Sequence, residues 1–385
     1  MRVLNVIMCL DPIGGGGSVE RIYQLSRHLS LMGEDCTILT TKQGWNEDHI
    51  RGLGNVKVVA LPYLSERFKI PIGLFSWLNR HIRDYEVVHL AMNWTAITAV
   101  TYLYLRYYKR PYVYSAMGWI AVDGRSRIFK RVYRELFTKP MVRHAETCVA
   151  ITKREAADYE SMGAGRANIS LIPNGINVES FLAPQSDEVF RARYGIDSRP
   201  VILFIGRLNA IKGPDLLIKA FSSISGEFPN YQLVIAGNNY GFLEELQRLV
   251  ELYKINGKVT FLDPIFGVEK NAAYQSAELF VIPSRFDTMT IVALEAAASG
   301  TPVLLTKQCD FNELQQAGGG LAVEANVEGL ADGLRVLLSK QERLSEMGRL
   351  GKEYVAKTYN WPQICKQFIE IFRNAMSTPM SQHRN

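Results

Sequence analysis

The stretch Val201-Ile202-Leu203-Phe204-Ile205-Gly206-Arg207-Leu208-Asn209-Ala210-Ile211-Lys212-Gly213-Pro214-Asp215 sets the fold class. Five consecutive apolar residues read as a strand buried on both faces of a sheet. Pro214 and Asp215 mark the first turn of a helix, where a missing N–H is not needed and a carboxylate meets the positive end of the helix dipole. Strand, short loop and helix together make one βα unit of a parallel sheet.

Outward from this stretch the unit repeats. Strands are predicted at Gln232–Ala236, Lys258–Leu262, Leu279–Ile282, Pro302–Leu305 and Gly320–Val323. Before it they are predicted at Val3–Met8, Cys36–Thr40, Val56–Leu61, Val87–Leu90, Tyr112–Ser115, Thr147–Ile151 and Ile169–Ile172. Helical periodicity fills most gaps, as in Val19–Leu31 and Ser126–Ala145. Pro173-Asn174-Gly175 is turn chemistry, and the polar, strand-poor stretch from Asn177 to Pro200 reads as a domain linker. The fold class is therefore α/β: two doubly wound Rossmann-like domains facing a cleft, an N-terminal one over residues 1–180 and a C-terminal one over 195–360. Ligand is expected in that cleft, at the carboxyl ends of strands. From about Ala331 the chain reads as helical, broken at Asn360-Trp361-Pro362 by a residue that cannot continue a helix. The last helix, about 361–380, is expected to pack back on the N-terminal domain.

Size and composition agree with a two-domain globular chain. The 385 residues are 47% hydrophobic and 21% charged, which excludes a mainly disordered chain or a disulfide-stapled miniature. The longest uncharged stretch, Leu90 to Leu105, is 16 residues, short of the roughly 20 that span a bilayer. No transmembrane helix or export signal is expected. Cys9, Cys36, Cys148, Cys309 and Cys365 are scattered and never in a Cys-x-x-Cys pair, so they read as buried thiols of a reducing cytoplasm. The net charge of +6 is uneven: residues 1–180 carry +7 and the remainder −1. The excess is densest from Arg125 to Arg143, where seven cations face one acid, Glu135. Such a patch suits an anionic membrane surface, a diphosphate-bearing substrate or nucleic acid.

Three motifs carry chemistry. Gly14-Gly15-Gly16-Gly17, between the first strand and first helix, uncovers amides and lets backbone approach a ligand closely. It misses the dinucleotide fingerprint, since the final position falls on Val19 and no acid closes the second strand; a merely flexible turn is the plain alternative. Arg207 and Lys212, five residues apart on a loop leading into a helix, can neutralise a diphosphate, or can be two solvated cations beside a helix start. Asp287 and Glu295 straddle a strand-to-helix turn. Glu295 sits among apolar neighbours, where a carboxylate needs a partner: the hydroxyls of a bound polyol such as ribose, or a nearby Lys or amide.

The ordered set of Gly-Gly-x-x-Glu, Ile172-Pro173-Asn174-Gly175-Ile176-Asn177, Gly206-Arg207-x4-Lys212-Gly213, Ala236-Gly237 and the acid-x7-Glu block resembles the retaining, GT-B-fold glycosyltransferases of family 4, also called group 1. His89-Leu90-Ala91-Met92-Asn93-Trp94 and Ser115-Ala116-Met117-Gly118-Trp119 further resemble the branch of bacterial surface-polysaccharide clusters. The resemblance implies that Arg207 and Lys212 hold the donor diphosphate and Glu295 the ribose hydroxyls. It also implies that Asp287 and the amides of Thr290 and Ile291 hold sugar and phosphates, and that Gly16 lets the N-terminal domain close on the donor. The implied catalytic set is Arg207, Lys212 and Asp287, with no protein nucleophile, no metal and no cofactor beyond the nucleotide sugar. Two departures stand out: Asp287 occupies a position usually Glu, and Met117 one where many members carry a donor-contacting His. His89 is the nearest substitute for that His, though a lone His at a strand end also suits a structural role.

The segment Ser126–Ala145 interleaves Ile128, Phe129, Val132, Tyr133, Leu136 and Phe137 with its cations, the arrangement of an interfacial helix on anionic lipid. A surface helix packing its apolar stripe on the sheet is the alternative. Nucleic acid is not expected, since no binding module accompanies the charge. The sequence reading is a metal-independent, retaining glycosyltransferase moving sugar from a nucleoside-diphosphate sugar to a lipid-linked saccharide in surface-polysaccharide assembly. Its expected place is cytoplasmic, peripheral on the inner face of the plasma membrane. The rival is a nucleotide-sugar-binding or membrane-scaffolding protein of the same fold, catalytically weak for lack of the His.

Overall fold

The computed structural model describes residues 1–12, 14–66, 68–118, 120 and 127–377. Trp119, Arg125, Ser126 and residues 378–380, which entered the sequence reading, lie outside the described residues. The chain divides into two compact units, Met1–Gly175 with the segment starting at Trp361, and Ile176–Asn360.

In chain order the first unit has strands β1 (Arg2–Val6), β2 (Asp35–Thr41), β3 (Lys57–Leu61), a short pair β4 (Tyr63–Leu64) and β5 (Ile70–Pro71), then β6 (Val87–Ala91), β7 (Tyr112–Ser115), β8 (Thr147–Ala150) and β9 (Ile169–Leu171). Seven of these pair in parallel in the order β3-β2-β1-β6-β7-β8-β9. Val3 lies opposite Cys36 on one side and Val87 on the other. The second unit has β10 (Val201–Ile205), β11 (Gln232–Ala236), β12 (Val259–Leu262), β13 (Ala277–Ile282), β14 (Val303–Thr306) and β15 (Gly320–Val323), parallel in the order β12-β11-β10-β13-β14-β15. Every strand expected from the sequence is present; the antiparallel pair β4–β5 is additional.

Both sheets are doubly wound, and in each the strand order reverses beside the first strand: between β1 and β6, and between β10 and β13. Loops leaving the carboxyl ends of those strands diverge to opposite faces and open a crevice, the usual ligand position in such sheets. The cores explain the strand sequences. Ile202, Phe204, Leu233, Ile235 and Leu279 pack against Leu217 and Phe221 of the helix Pro214–Ile224 and Leu330 and Leu334 of the helix Val327–Leu338. In the first unit Leu4, Val6, Val88, Leu90 and Tyr114 pack with Leu78, Ile97 and Leu105. All five cysteines are buried and free.

Three boundaries differ from the sequence reading. Asn177–Pro200 is not a linker; it lies within the second unit and contains a 3-10 turn, Val178–Phe181, and a helix, Asp187–Tyr194, anchored by buried Phe181 and Phe190. Its polar surface hid two apolar anchors. The C-terminal helical region starts at Val327 and pauses between Leu338 and Glu342 before the helix Glu342–Thr358. The basic segment is not one regular helix. It runs Arg127–Tyr133, widens to a π-turn at Arg134–Thr138, and resumes at Lys139–His144. Pro140 in the first turn of that last piece has no N–H to give the preceding turn, and a π-turn absorbs such a misfit.

The final helix, Trp361–Ser377, belongs to the first unit. There Trp361 stacks on His28 at 5.7 Å between ring centroids.

Candidate functional site

In the second unit the crevice at the reversal between β10 and β13 is lined by the loop 206–213 and the loop 283–290. Gly213 brings them together. Its φ is 71°, and a Cβ there would stand 2.1 Å from the carbonyl oxygen of Pro283, so only glycine lets the two backbones approach this closely. Arg285 ties the loops on both sides of that contact. Its amide donates to the Ile211 carbonyl at 2.8 Å, and its guanidinium grips the Asp215 carboxylate with two bonds, 2.8 and 2.6 Å. Asp215 holds the Arg285 guanidinium firmly protonated. The sequence gives Asp215 only a helix-start role and Arg285 none, because their pairing links positions 70 residues apart.

Across this junction Lys212 meets Asp287, with Nζ donating to Oδ2 at 2.5 Å. The other oxygen of Asp287 accepts the amide of Thr288 at 2.9 Å. Asn209 accepts the Lys212 amide at 2.9 Å and so fixes where the lysine leaves the backbone. Two residues expected to contact different parts of one ligand thus contact each other. The pair is neither solvated nor sealed: the side chains are 18% and 14% exposed. Arg207 lies on the exposed surface with its guanidinium 5.8 Å from the Tyr240 ring centre, beyond β11.

Thr290 caps the helix Ile291–Ser299 with extended backbone and no side-chain bond, and the first turn carries no acid. The leading N–H groups of a helix have no acceptor within it, so Thr290 and Ile291 stand where an anion is favoured. One turn further in, Glu295 Oε2 accepts Tyr274 O–H at 2.7 Å and forms an ion pair with Lys270 Nζ at 2.5 Å. Of the partners left open by the sequence, a nearby Lys is present, and one oxygen of Glu295 is held by protein. Lys270 and Tyr274 were missed because a Lys-x-x-x-Tyr spacing on a helix has no signature of its own.

The first-unit candidates divide differently. Gly16 heads the helix Gly16–Leu31 with φ 64° and open space where a Cβ would stand, so its need for glycine is conformational. His89 is not at a ligand-facing position. It is wholly buried in β6, its Nδ1 bonded with Asn5 at 3.0 Å and its Nε2 with Ser115 at 2.7 Å, and its ring rests on Phe368 and Phe372. Burial, aided by the charge of Arg21, pushes its pKa down to about 3, so it stays neutral. Met117 is also buried, in a turn where it and Gly118 both have positive φ (56° and 78°). That turn is held by fully buried Glu155, which accepts the Gly118 amide at 2.8 Å and the Ile151 amide at 2.7 Å. The Ile172-Pro173-Asn174 motif has an internal use too: its two carbonyls and the Asn174 side chain all accept from the guanidinium of buried Arg21.

The basic segment packs only Tyr133 and Phe137 of its apolar stripe inward. Ile128 is 79% exposed, and Phe129, Val132 and Leu136 are also exposed, while Tyr133 and Thr138 face the core. Phe129 meets Phe68 at 5.8 Å between ring centroids, next to β4–β5 with exposed Leu64, Ile70, Ile72 and Phe75. Lys130, Arg131, Arg134 and Lys139 accompany this apolar surface. Among the described residues no helix is long and apolar enough to cross a membrane.

Residues 15–180 match the family model described as Glycosyltransferase Family 4, and residues 186–354 that described as Glycosyl transferases group 1. The chain is 30% identical to the D-inositol 3-phosphate glycosyltransferase of Corynebacterium urealyticum, over 98% of this chain and 97% of that protein. Among solved structures, Anabaena HepE in complex with UDP superposes with a TM-score of 0.80 at 16% identity, covering 97% of this chain and all of that one. WaaG, a glycosyltransferase involved in lipopolysaccharide biosynthesis, superposes with a TM-score of 0.72 at 19% identity, covering 96% and 99%. The family expectation therefore stands where the finer branch does not follow from it: the chain belongs to the group 1 glycosyltransferases, on the GT-B fold.

Proposed function

We propose that the protein is a retaining, metal-independent glycosyltransferase that moves a sugar from a nucleoside-diphosphate sugar to a lipid-linked saccharide. In this reading it works in surface-polysaccharide assembly while docked on the inner face of the plasma membrane. The observation that carries the donor half is the junction of Lys212 and Asp287 at the β10–β13 reversal, beside an unneutralised helix start. On donor binding the diphosphate takes Lys212 and Arg207, Asp287 and the amides of Thr290 and Ile291 turn to the sugar and phosphates, and Glu295 takes the ribose. The anomeric C–O bond to the diphosphate breaks and a bond to the acceptor oxygen forms on the same face. The acceptor proton passes to the departing diphosphate, whose charge Arg207, Lys212 and the helix amides stabilise.

The acceptor half is supported by the exposed apolar and basic surface around Ile128 and Phe75. Anionic lipid attracts each nearby cation by about 1 kcal/mol, and exposed Phe and Ile side chains enter the interface. Glutamine at Arg127, Lys130, Arg131 and Arg134 is expected to release the protein from anionic liposomes and to lower activity on lipid-linked acceptor, with donor hydrolysis in solution spared. Cosedimentation that ignores both salt and these substitutions would count against docking. A second reading, favoured by the inositol phosphate relative, is transfer to a soluble phosphorylated polyol. Assays with D-inositol 3-phosphate and with a lipid-linked saccharide, run with and without chelator and read by NMR of the new linkage, separate the acceptors, the stereochemistry and the metal question. Tight nucleotide-sugar binding with no turnover on any acceptor would favour the catalytically weak rival.

A further inference from the structure

Glu295 is held from one side. Its hydrogen-bond donor, Tyr274 O–H, and its ion-pair partner, Lys270 Nζ, both approach Oε2, and Oε1 has no hydrogen-bond partner among the described residues. These two residues sit four apart on the helix Gly267–Gln275, so they share a face and reach Glu295 on the next helix together. They also differ in kind. Tyr274 is wholly buried, and burial, reinforced by the Glu295 charge, keeps its phenol protonated and donating. Lys270 supplies the countercharge that a mostly buried carboxylate needs, the Glu295 side chain being only 14% exposed.

We propose that Lys270 and Tyr274 are positioning residues for nucleotide recognition: they pin one oxygen of Glu295 so that the other faces the two ribose hydroxyls of the donor. The proposal rests on the reading of Glu295 as the ribose-binding carboxylate. With a hydrogen bond and an ion pair both centred on Oε2, the carboxylate cannot turn without disturbing both contacts at once. A carboxylate fixed in this way pays little ordering entropy when a diol arrives, and hydrogen bonds to an ionised acceptor are the strong ones. Discrimination between ribo- and deoxyribonucleotides then depends on two side chains that never touch the nucleotide.

The test is calorimetric titration of the full chain with UDP, ADP and GDP, followed by the 2′,3′-dideoxy form of whichever binds best. Wild type is expected to prefer the ribo form by about 10- to 100-fold, the scale of hydrogen bonds to a charged group. Lys270→Met and Tyr274→Phe are each expected to shrink that preference about fivefold or more, leaving dideoxy affinity within about twofold, because only the hydroxyl contacts are disturbed. Lys270→Arg should recover most of it. If both variants keep the wild-type preference while Glu295→Gln loses it, the positioning role is wrong and the ribose reading stands. If Glu295→Gln keeps the preference, both fall. A drop in melting temperature with an unchanged preference marks the cluster as merely structural and overturns the proposal; should Lys270→Met not fold, Lys270→Gln makes the same comparison.

Discussion

The two sheets share one winding, yet the polar groups near their strand ends are used in opposite ways. In the first unit they are buried and spent: Arg21 on three acceptors, Glu155 on two amides, His89 on Asn5 and Ser115. In the second, Lys212 and Asp287 form an ion pair between two loops of the crevice, and solvent still reaches both. A buried polar group that loses its partner pays the full desolvation penalty, so the first set fixes structure. An ion pair that solvent still reaches can exchange one partner for an anionic ligand without leaving a charge unpaired. Charged and polar residues in a shared topology thus act as framework in one unit and as exchangeable groups in the other.

The contrast is broken most severely at Arg21. Arg21→Leu strands the Ile172 and Pro173 carbonyls and is expected to cost about 3–5 kcal/mol of first-unit stability, the range for breaking a buried charged network. Urea unfolding followed by first-unit probes would measure it, and nucleoside diphosphate affinity should hardly change where the fold persists. A loss below about 1 kcal/mol would place Arg21 with the exchangeable groups.

Lys212→Ala is expected to do the reverse, lowering turnover by about a hundredfold or more, since one charge-stabilising donor is removed, with a smaller stability loss than at Arg21 because solvent reaches the Asp287 left behind. Because Lys212 and Asp287 touch, adding Asp287→Asn should cost far less than the product of the two single effects. Independent, multiplying losses in steady-state kinetics would mean that the pair does not work as a unit.

The smallest effect is a pH dependence. Folded His89 has its pKa lowered to about 3 from an unfolded value of 6.5, so below 6.5 the unfolded chain takes up a proton that the folded one refuses. Its contribution is complete above that pH and is lost on acidification, by about 1.4 kcal/mol per pH unit, or about 2 kcal/mol between pH 6.5 and 5. His89→Gln should flatten that part of the stability profile. An unchanged slope would show that the imidazole is protonated in the folded state.

The strands and the winding were legible in the sequence because a strand covered on both faces must be a short continuous apolar run, and because parallel strands need helical crossovers between them. Arg207, Lys212, Asp287 and Glu295 stand out as candidates in the sequence because glycines and charges interrupt the apolar runs around them. Which charge meets which was not legible. Lys212–Asp287 and Arg285–Asp215 join two loops through the left-handed backbone of Gly213, and Lys270–Glu295 joins two helices, contacts that no local pattern encodes. The sequence likewise suggested a substrate role for His89 and a linker after Asn177, whereas packing put the imidazole in the core and Phe181 and Phe190 in the second unit. The apolar stripe of the basic segment was visible as a pattern, but only the tertiary structure decided that most of it faces outward. Periodicity is a property of neighbours along the chain; partner choice and exposure depend on what the rest of the chain brings alongside.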